Sequence, residues 1–411
     1  MKILHVTNAR DFTGGMKQVE LLMKGLRCEF GVEQTLACPV GSPVSRHFQG
    51  MGFFVHEIGI FQDYDLWAAW KLSRLVKSEK FEIVHAHHAM AHAVSLLAKH
   101  FTPFRLVVSR RVTHPIPWYP TSLWKYRNAK IDRYFCVSRS VAGVLEKTGV
   151  KPERLAVVPS STDLRRFTPR PPSGELLAGL NFNGLARGPI FGVVANYSAW
   201  KGHDLFIEAL AKLLKNQYGV SMKGFSAGES PLPPDPRTSP DGSPRVLAGP
   251  LSATGFKGDS PALNPYALMA GRDTDSPAVS QKIARYGLVG KVRQLGWRED
   301  TPDVLSVLSA LVCPSIAGEG SSGVIREAFA MRIPVIASDI EANRELVNDE
   351  RGWLFKNGDA GDLARVLESF VHLNAAERDQ RVAAAQKFAQ GFFSADRMIE
   401  LTLENYRQLL V

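Results

Sequence analysis

The sequence is poor in cysteine, has no long apolar run and carries no excess of acid. Its four cysteines, Cys28, Cys38, Cys136 and Cys313, are scattered through 411 residues without paired spacing. They read as buried thiols in a reducing compartment, which makes a cytoplasmic protein the expectation. No segment approaches the roughly 18 apolar residues that a membrane-spanning helix needs. The start, Met1-Lys2-Ile3-Leu4-His5-Val6, turns polar too quickly for a signal peptide and reads as a first strand. Lysine and arginine number 50 against 40 acidic residues, a net charge of +10. Such a balance favours anionic partners. No nucleic-acid-binding module is recognisable, so nucleic acid is not expected, and peripheral contact with an anionic membrane fits the charge.

What is present is alternation. Lys2 to Asn8, Gln34 to Cys38, Phe53 to Glu57 and Glu82 to Ala86 are short apolar runs separated by helical patterns, such as Asp65 to Lys80. Strands and helices in alternation at this length predict parallel, doubly wound sheets, with ligands at the carboxyl ends of the strands. The length suits two domains. Pro169, Pro171, Pro172 and Gly174 punctuate the middle. We therefore expect a first domain over 1–168, a linker over 169–188 and a second domain over 189–374. Helices over 375–411 are expected to cross back onto the first domain. Within the second domain, 221–265 breaks the pattern. Pro, Gly and Ser make up 22 of its 45 residues, and it is expected to be a disordered insertion.

The chain is organised around 310–331. The apolar run Leu311-Val312-Cys313 stops at Pro314 and gives way to a turn carrying Gly318, Gly320, Ser321, Ser322 and Gly323. Val324, Ile325, Ala328, Phe329 and Met331 follow at helical spacing. A glycine-rich turn leading into a helix start lets backbone N–H groups approach a phosphate. Glu319 and Glu327 flank that turn, and carboxylates, which only accept, suit a ligand that also carries hydroxyls. Phosphate with vicinal hydroxyls describes a sugar nucleotide. A second strand–turn–helix, with Gly14 and Gly15 in its turn, has the same phosphate-approach geometry.

Glu319, seven residues and Glu327 resemble the E-x7-E motif of family 4 glycosyltransferases, and the resemblance covers nearly everything outside 221–265. It implies the GT-B fold, in which two Rossmann-like domains face a cleft. It also implies retaining transfer from a nucleotide sugar to a saccharide or lipid-linked saccharide, and neither metal nor cofactor. On that resemblance Glu327 holds the ribose and Glu319 lies by the donor sugar. Gly14 and Gly15 match the N-terminal glycine loop. Asn196-Tyr197-Ser198-Ala199-Trp200-Lys201-Gly202 resembles the Arg-x4-Lys-Gly element that neutralises the pyrophosphate. Lys201 is kept, whereas the arginine position is Asn196. Gly296-Trp297 corresponds to the base-recognition segment, and Gly320 to Gly323 would meet the diphosphate. Ser160 to Asp163 stands where the family reads Asn-Gly-Val-Asp.

The acceptor side is expected around His87, Arg110 and His114. The family's histidine beside the transferred sugar matches Arg111 best, with His114 three residues on, and the choice between them stays open. His88 and His92 share a helical spacing that can ligate metal, but no Glu or Cys accompanies them. The stretch Trp118 to Lys130 mixes Trp118, Tyr119, Trp124 and Tyr126 with Lys125, Arg127 and Lys130, as an interfacial patch or an acceptor groove does. The altered positions Asn196 and Arg111 keep a non-catalytic scaffold in view, and a sugar-nucleotide epimerase of the same fold acting on the same ligands is a second rival.

Overall fold

The computed structural model describes residues 1–180, 188–218 and 265–411. The expected insertion lies outside the described residues, apart from Pro265. Among the described residues the strands form two wholly parallel sheets. The first contains β1 (Lys2–Val6), β2 (Glu33–Cys38), β3 (Phe54–Glu57), β4 (Ile83–Ala86), β5 (Arg105–Arg110), β6 (Arg133–Cys136) and β7 (Leu155–Val157), in the order β3-β2-β1-β4-β5-β6-β7. The second contains β8 (Ile190–Val194), β9 (Tyr266–Ala270), β10 (Val292–Gly296), β11 (Ala310–Cys313), β12 (Val335–Ser338) and β13 (Trp353–Phe355), in the order β10-β9-β8-β11-β12-β13.

Helices cover both faces of each sheet, which is why the strands read as continuous apolar runs rather than as alternating ones. On β1, Ile3 packs with Leu22, Leu26 and Ile399, while Leu4 and Val6, beside Val84 of β4, pack with Leu72 and Val94 on the other side. The helix Gly14–Phe30 buries Met16, Val19, Leu22, Met23 and Leu26, the spacing of one helical face. It stops at Gly31, whose left-handed backbone (φ 61°) only glycine adopts without strain. Cys28, expected to be buried, is exposed, because its position turns away from that apolar arc. The other three cysteines are buried. The last helix, Ala395–Leu410, lays Met398, Ile399, Leu403 and Tyr406 against the same face. Each such side chain contributes roughly 1.5–3 kcal/mol by burial. Inside the stretch expected as linker, Gly174–Gly179 forms a short helix whose start is capped by the Ser173 hydroxyl.

Both strand orders reverse once, between β1 and β4 and between β8 and β11. At such a reversal the following loops diverge to opposite faces and leave a crevice beyond the carboxyl ends. The turns after β1 and β4 carry Gly14, Gly15, His87 and His88. Those after β8 and β11 carry Asn196, Lys201 and Glu319. The crevices meet: Val112 and Glu319 form an antiparallel bridge across the domains, and the Thr113 hydroxyl donates to the Glu319 carbonyl at 2.7 Å.

Candidate active site between the two sheets

The half contributed by the second sheet is built on short-range turns. After β8, a 3-10 turn over Ala199–Lys201 ends at Gly202, with φ 73°. A Cβ there would lie 1.9 Å from the Pro314 carbonyl oxygen, so the close approach of the two loops requires glycine. That approach delivers Lys201 to Glu319, with Nζ 2.5 Å from Oε1. The Ser315 hydroxyl donates to the same oxygen at 2.7 Å. Glu319 is 6 % exposed, so the pair holds one carboxylate rigidly in a sparsely hydrated wall. Gly320 packs under the first domain: a Cβ would sit 2.0 Å from the Arg111 carbonyl oxygen.

The helix Gly323–Ala330 starts at Ser322, whose side chain makes no capping bond, and its first turn holds no acid. The helix Gly14–Phe30 likewise starts at Thr13 without a side-chain cap and without acid in its first turn. Helix starts of this kind present unpaired N–H groups and positive dipole ends. Both open on one cavity of about 400 Å³, lined by Gly14, Gly15 and Lys17 on one side and by Ser321, Gly323 and Glu327 on the other. Arg111, Arg166 and Arg326 also line it.

Arg326 is 4 % exposed. It donates from Nη1 to the Ser321 carbonyl (3.1 Å) and hydroxyl (2.7 Å), and its Nε has no partner among the described residues. Burial pulls its guanidinium down to about 10, against the nearby carboxylates of Glu327 and Glu319. Glu327 is half-buried, and burial raises its carboxyl above the ordinary value while Arg326, Lys17 and Arg166 oppose the shift. The cavity thus offers N–H donors and an excess of positive charge, with Glu20, Asp163 and Glu327 as its three carboxylates.

A second cavity, about 290 Å³, opens on the first domain's side and includes Thr13, Gly15, His88, Arg111 and Tyr126 in its wall. Gly15 and Arg111 belong to both cavities. Arg111 donates to the His87 carbonyl (3.0 Å) and faces His87 Nδ1 (3.2 Å). Arg110 is buried and donates to the Tyr126 hydroxyl (2.9 Å) and the His114 carbonyl (2.5 Å). The His114 ring leans across the seam instead, edge-on to Trp200 at 6.0 Å and close over Gly318.

The structure therefore gathers Gly14, Gly15, Arg111, Ser321, Gly323 and Glu327 around one space and sets the Lys201–Glu319 pair beside the seam. Ser322 is buried at the helix start. Asn196 and Trp297 stand apart, joined through Arg272: its N–H donates to Asn196 Oδ1 at 3.1 Å, and its guanidinium lies 5.0 Å from the Trp297 ring. Lys17, Lys24, Arg166 and Arg326 also line the cavity, and sequence reasoning missed them. Only Arg326 left a signal, an arginine on an otherwise apolar helix start beside Glu327. His87 is 2 % exposed. Together with His5 and His85 it forms, among the described residues, the one group of ligand atoms spaced for a metal, all within 4.8 Å. Every ring nitrogen of the three already faces a protein partner. His92 lies apart, its ring edge-on to Tyr126 and Tyr134.

Two family models match: "Glycosyltransferase Family 4" over residues 14–166 and "Glycosyl transferases group 1" over residues 261–372. This chain belongs to glycosyltransferase family 4. The glycosyltransferase is 24 % identical, over 93 % of its length and 89 % of the relative's, to an Escherichia coli UDP-Gal:alpha-D-GlcNAc-diphosphoundecaprenol alpha-1,3-galactosyltransferase. A shorter stretch, 28 % of the chain and 31 % of the relative, is 37 % identical to a phosphatidyl-myo-inositol mannosyltransferase of Mycobacterium leprae. Its fold matches HepE of Anabaena in complex with UDP, with a TM-score of 0.76 at 17 % identity, covering 99 % of this chain and 100 % of the other. A glycosyltransferase of Rickettsia africae matches with a TM-score of 0.78 at 21 % identity, covering 100 % and 98 %. The fold is GT-B, and the family and its named relatives make the protein a sugar-transferring enzyme rather than a scaffold or an epimerase. Among the described residues no helix is long and apolar enough to cross a membrane.

Proposed function

We propose that the interdomain cavity binds a nucleoside diphosphate sugar and that the enzyme moves the sugar, with retention of configuration, to a hydroxyl of a saccharide or lipid-linked saccharide. The observation that carries this reading is the convergence of two uncapped helix starts and five basic side chains (Lys17, Lys24, Arg111, Arg166, Arg326) on a cavity that also holds Glu327. Phosphate charge meets the N–H groups of 320–323 and 14–15, and the ribose hydroxyls donate to Glu327.

Glu319, held by Lys201 and Ser315, positions the donor sugar. As the anomeric C–O bond to the diphosphate breaks, negative charge grows on the leaving oxygen, and Lys201 with the turn N–H groups stabilises it. The acceptor oxygen bonds to the anomeric carbon on the same face, and its proton passes to the departing phosphate. The acceptor occupies the second cavity, whose wall meets the donor's at Gly15 and Arg111.

A lipid-linked acceptor requires the enzyme to reach a membrane. On the first domain Phe61, Trp67 and Trp118 are 76 %, 62 % and 79 % exposed, with Lys71 5.2 Å from the Trp67 ring and Arg74 5.4 Å from the Trp70 ring. Aromatic and basic side chains together suit an anionic bilayer surface. The protein should co-sediment with anionic vesicles, less so as salt is added. Equal binding to neutral vesicles, or none to either, removes this part.

Donor binding is tested by a thermal-shift screen against UDP, GDP, ADP and their sugars. A ligand at ~100 times its dissociation constant stabilises by ~2.7 kcal/mol. No shift with any of them contradicts the reading.

A further inference from the structure

The first domain places a row of uncharged polar side chains under the cleft, ending on Arg111. Gln34 on β2 is 5 % exposed, His5 on β1 0 % and His87 after β4 2 %. Gln34 Nε2 donates to the Met23 carbonyl at 3.0 Å and approaches that of Val32 at 3.4 Å, which leaves its Oε1 as an acceptor. His5 Nε2 lies 3.0 Å from that oxygen and so carries the proton. His5 Nδ1 is then an acceptor, 3.0 Å from His87 Nε2, which must carry its own. His87 Nδ1 is therefore an acceptor too, and it faces Arg111 Nη2, a group that can only donate, at 3.2 Å. Backbone carbonyls at one end and a guanidinium at the other admit a single arrangement: both imidazoles neutral, both protonated on Nε2. Burial holds both rings far toward the neutral form, His5 down to about 4.

We propose that Gln34, His5 and His87 form a buried directional hydrogen-bond chain that fixes the Arg111 guanidinium where the two cavities meet. His5 and Gln34 are thereby positioning residues for sugar transfer. This rests on the reading that the two cavities hold donor and acceptor. A long arginine on a loop loses much rotamer freedom when it is fixed. Two hydrogen bonds to one histidine, itself locked from behind, keep the fork in place before substrate arrives. A fully satisfied buried network can specify orientation in this way, and an arginine is suited to it because its donors are rigidly disposed. The charged or titratable groups facing the chain are His85 on β4, His88 after β4, Arg111 itself and, through His85, Tyr406 on the last helix. A proton added to His5 or His87 would turn a donor towards a donor and push Arg111 away.

The chain itself is tested by long-range proton–nitrogen NMR on protein labelled at histidine. Between about pH 6 and 8, His5 and His87 should both show the neutral form protonated on Nε2. A proton on Nδ1 of either ring, or a charged ring, overturns the proposal without touching the donor-binding reading. Its purpose is tested with Gln34→Met, which keeps the shape and removes the acceptor, and Gln34→Glu. The buried carboxyl of Gln34→Glu stays protonated and still accepts from His5. With UDP-glucose as donor probe, Gln34→Met should lower kcat for donor turnover about tenfold, with UDP affinity changed less than twofold. Gln34→Glu should restore most of it. On an Arg111→Met background, Gln34→Met should cost nothing further. The same fractional loss in both backgrounds means that the chain only supports folding, and it overturns the proposal. If wild-type protein turns over no UDP sugar, the UDP-glucose arm reports on the proposed donor, and the NMR result alone decides the chain.

Discussion

The two sheets contribute to the cleft by different means. On the second sheet the groups beside the cleft are ionic: Lys201 meets Glu319 at 2.5 Å, each carried on the loop that follows its strand, β8 or β11. On the first sheet the cleft-facing cation, Arg111, rests on neutral side chains from β1, β2 and the end of β4. An ion pair beside a cleft can exchange partners when a phosphate arrives, because Lys201 has three donors and only one is engaged with Glu319. A neutral chain cannot exchange without reversing every proton in it. On the proposed reading the second half is thus suited to respond to the leaving group, and the first to hold still while it does.

The largest effect that would sharpen this contrast is expected at Lys201. Lys201→Ala removes the group proposed to meet developing charge, and turnover should fall by about 10²–10³ while the far-ultraviolet circular dichroism stays native. Turnover equal to that of wild type would show that the second half is not the responsive one.

Glu327 gives a smaller effect, visible without substrate. Its carboxyl is raised above 4.5 by burial. A carboxyl raised in the folded chain favours the protonated form, so its contribution to stability is full at low pH and is lost as pH rises through the folded value. Glu327→Gln stays neutral throughout. Its melting temperature should therefore gain on the wild type's as pH rises from about 4.5 towards 7, even as nucleotide binding weakens. A gap that is constant over that range means the carboxyl is not held in a poorly hydrated wall.

The smallest effect concerns the connection between the helix ending at Tyr218 and β9, which begins at Tyr266. The two described ends it joins, Tyr218 and Tyr266, stand at the amino-end side of the parallel strands, away from the crevice. Replacing 221–265 with a short Gly-Ser link should leave turnover within about twofold, because loop closure changes by only ~0.6 kcal/mol per doubling of length. Lost turnover in a variant with native circular dichroism would show that this segment serves the cleft.

The same contrast explains what could be read in advance. Glu319, the glycine turn and Glu327 lie within nine consecutive residues, and a helix start fixes their mutual geometry. The motif is therefore legible, and so are the alternating strands that set the fold. His5, Gln34, His87 and Arg111 are far apart in the chain, and only sheet order and register bring them together. The signal at Arg326 was ambiguous, because a charged residue on a helix start is usually solvated, whereas here the Phe393 ring lies 5.5 Å from its guanidinium. The exposed row from Phe61 to Trp70 escaped notice because apolar residues at helical spacing ordinarily face a core, whereas here part of the arc faces outward.

We propose that the space between the sheets is a nucleoside diphosphate site with Glu327 on the ribose. Calorimetric titration of wild-type protein and Glu327→Ala with UDP, GDP and ADP tests it most directly. At least one nucleotide should bind the wild type, and the variant should bind that nucleotide ~1.5–3 kcal/mol more weakly, about 10- to 150-fold, through loss of a charge-assisted bond to hydroxyls. Equal affinity in the two proteins, or no binding of any of the three to the wild type, would contradict it.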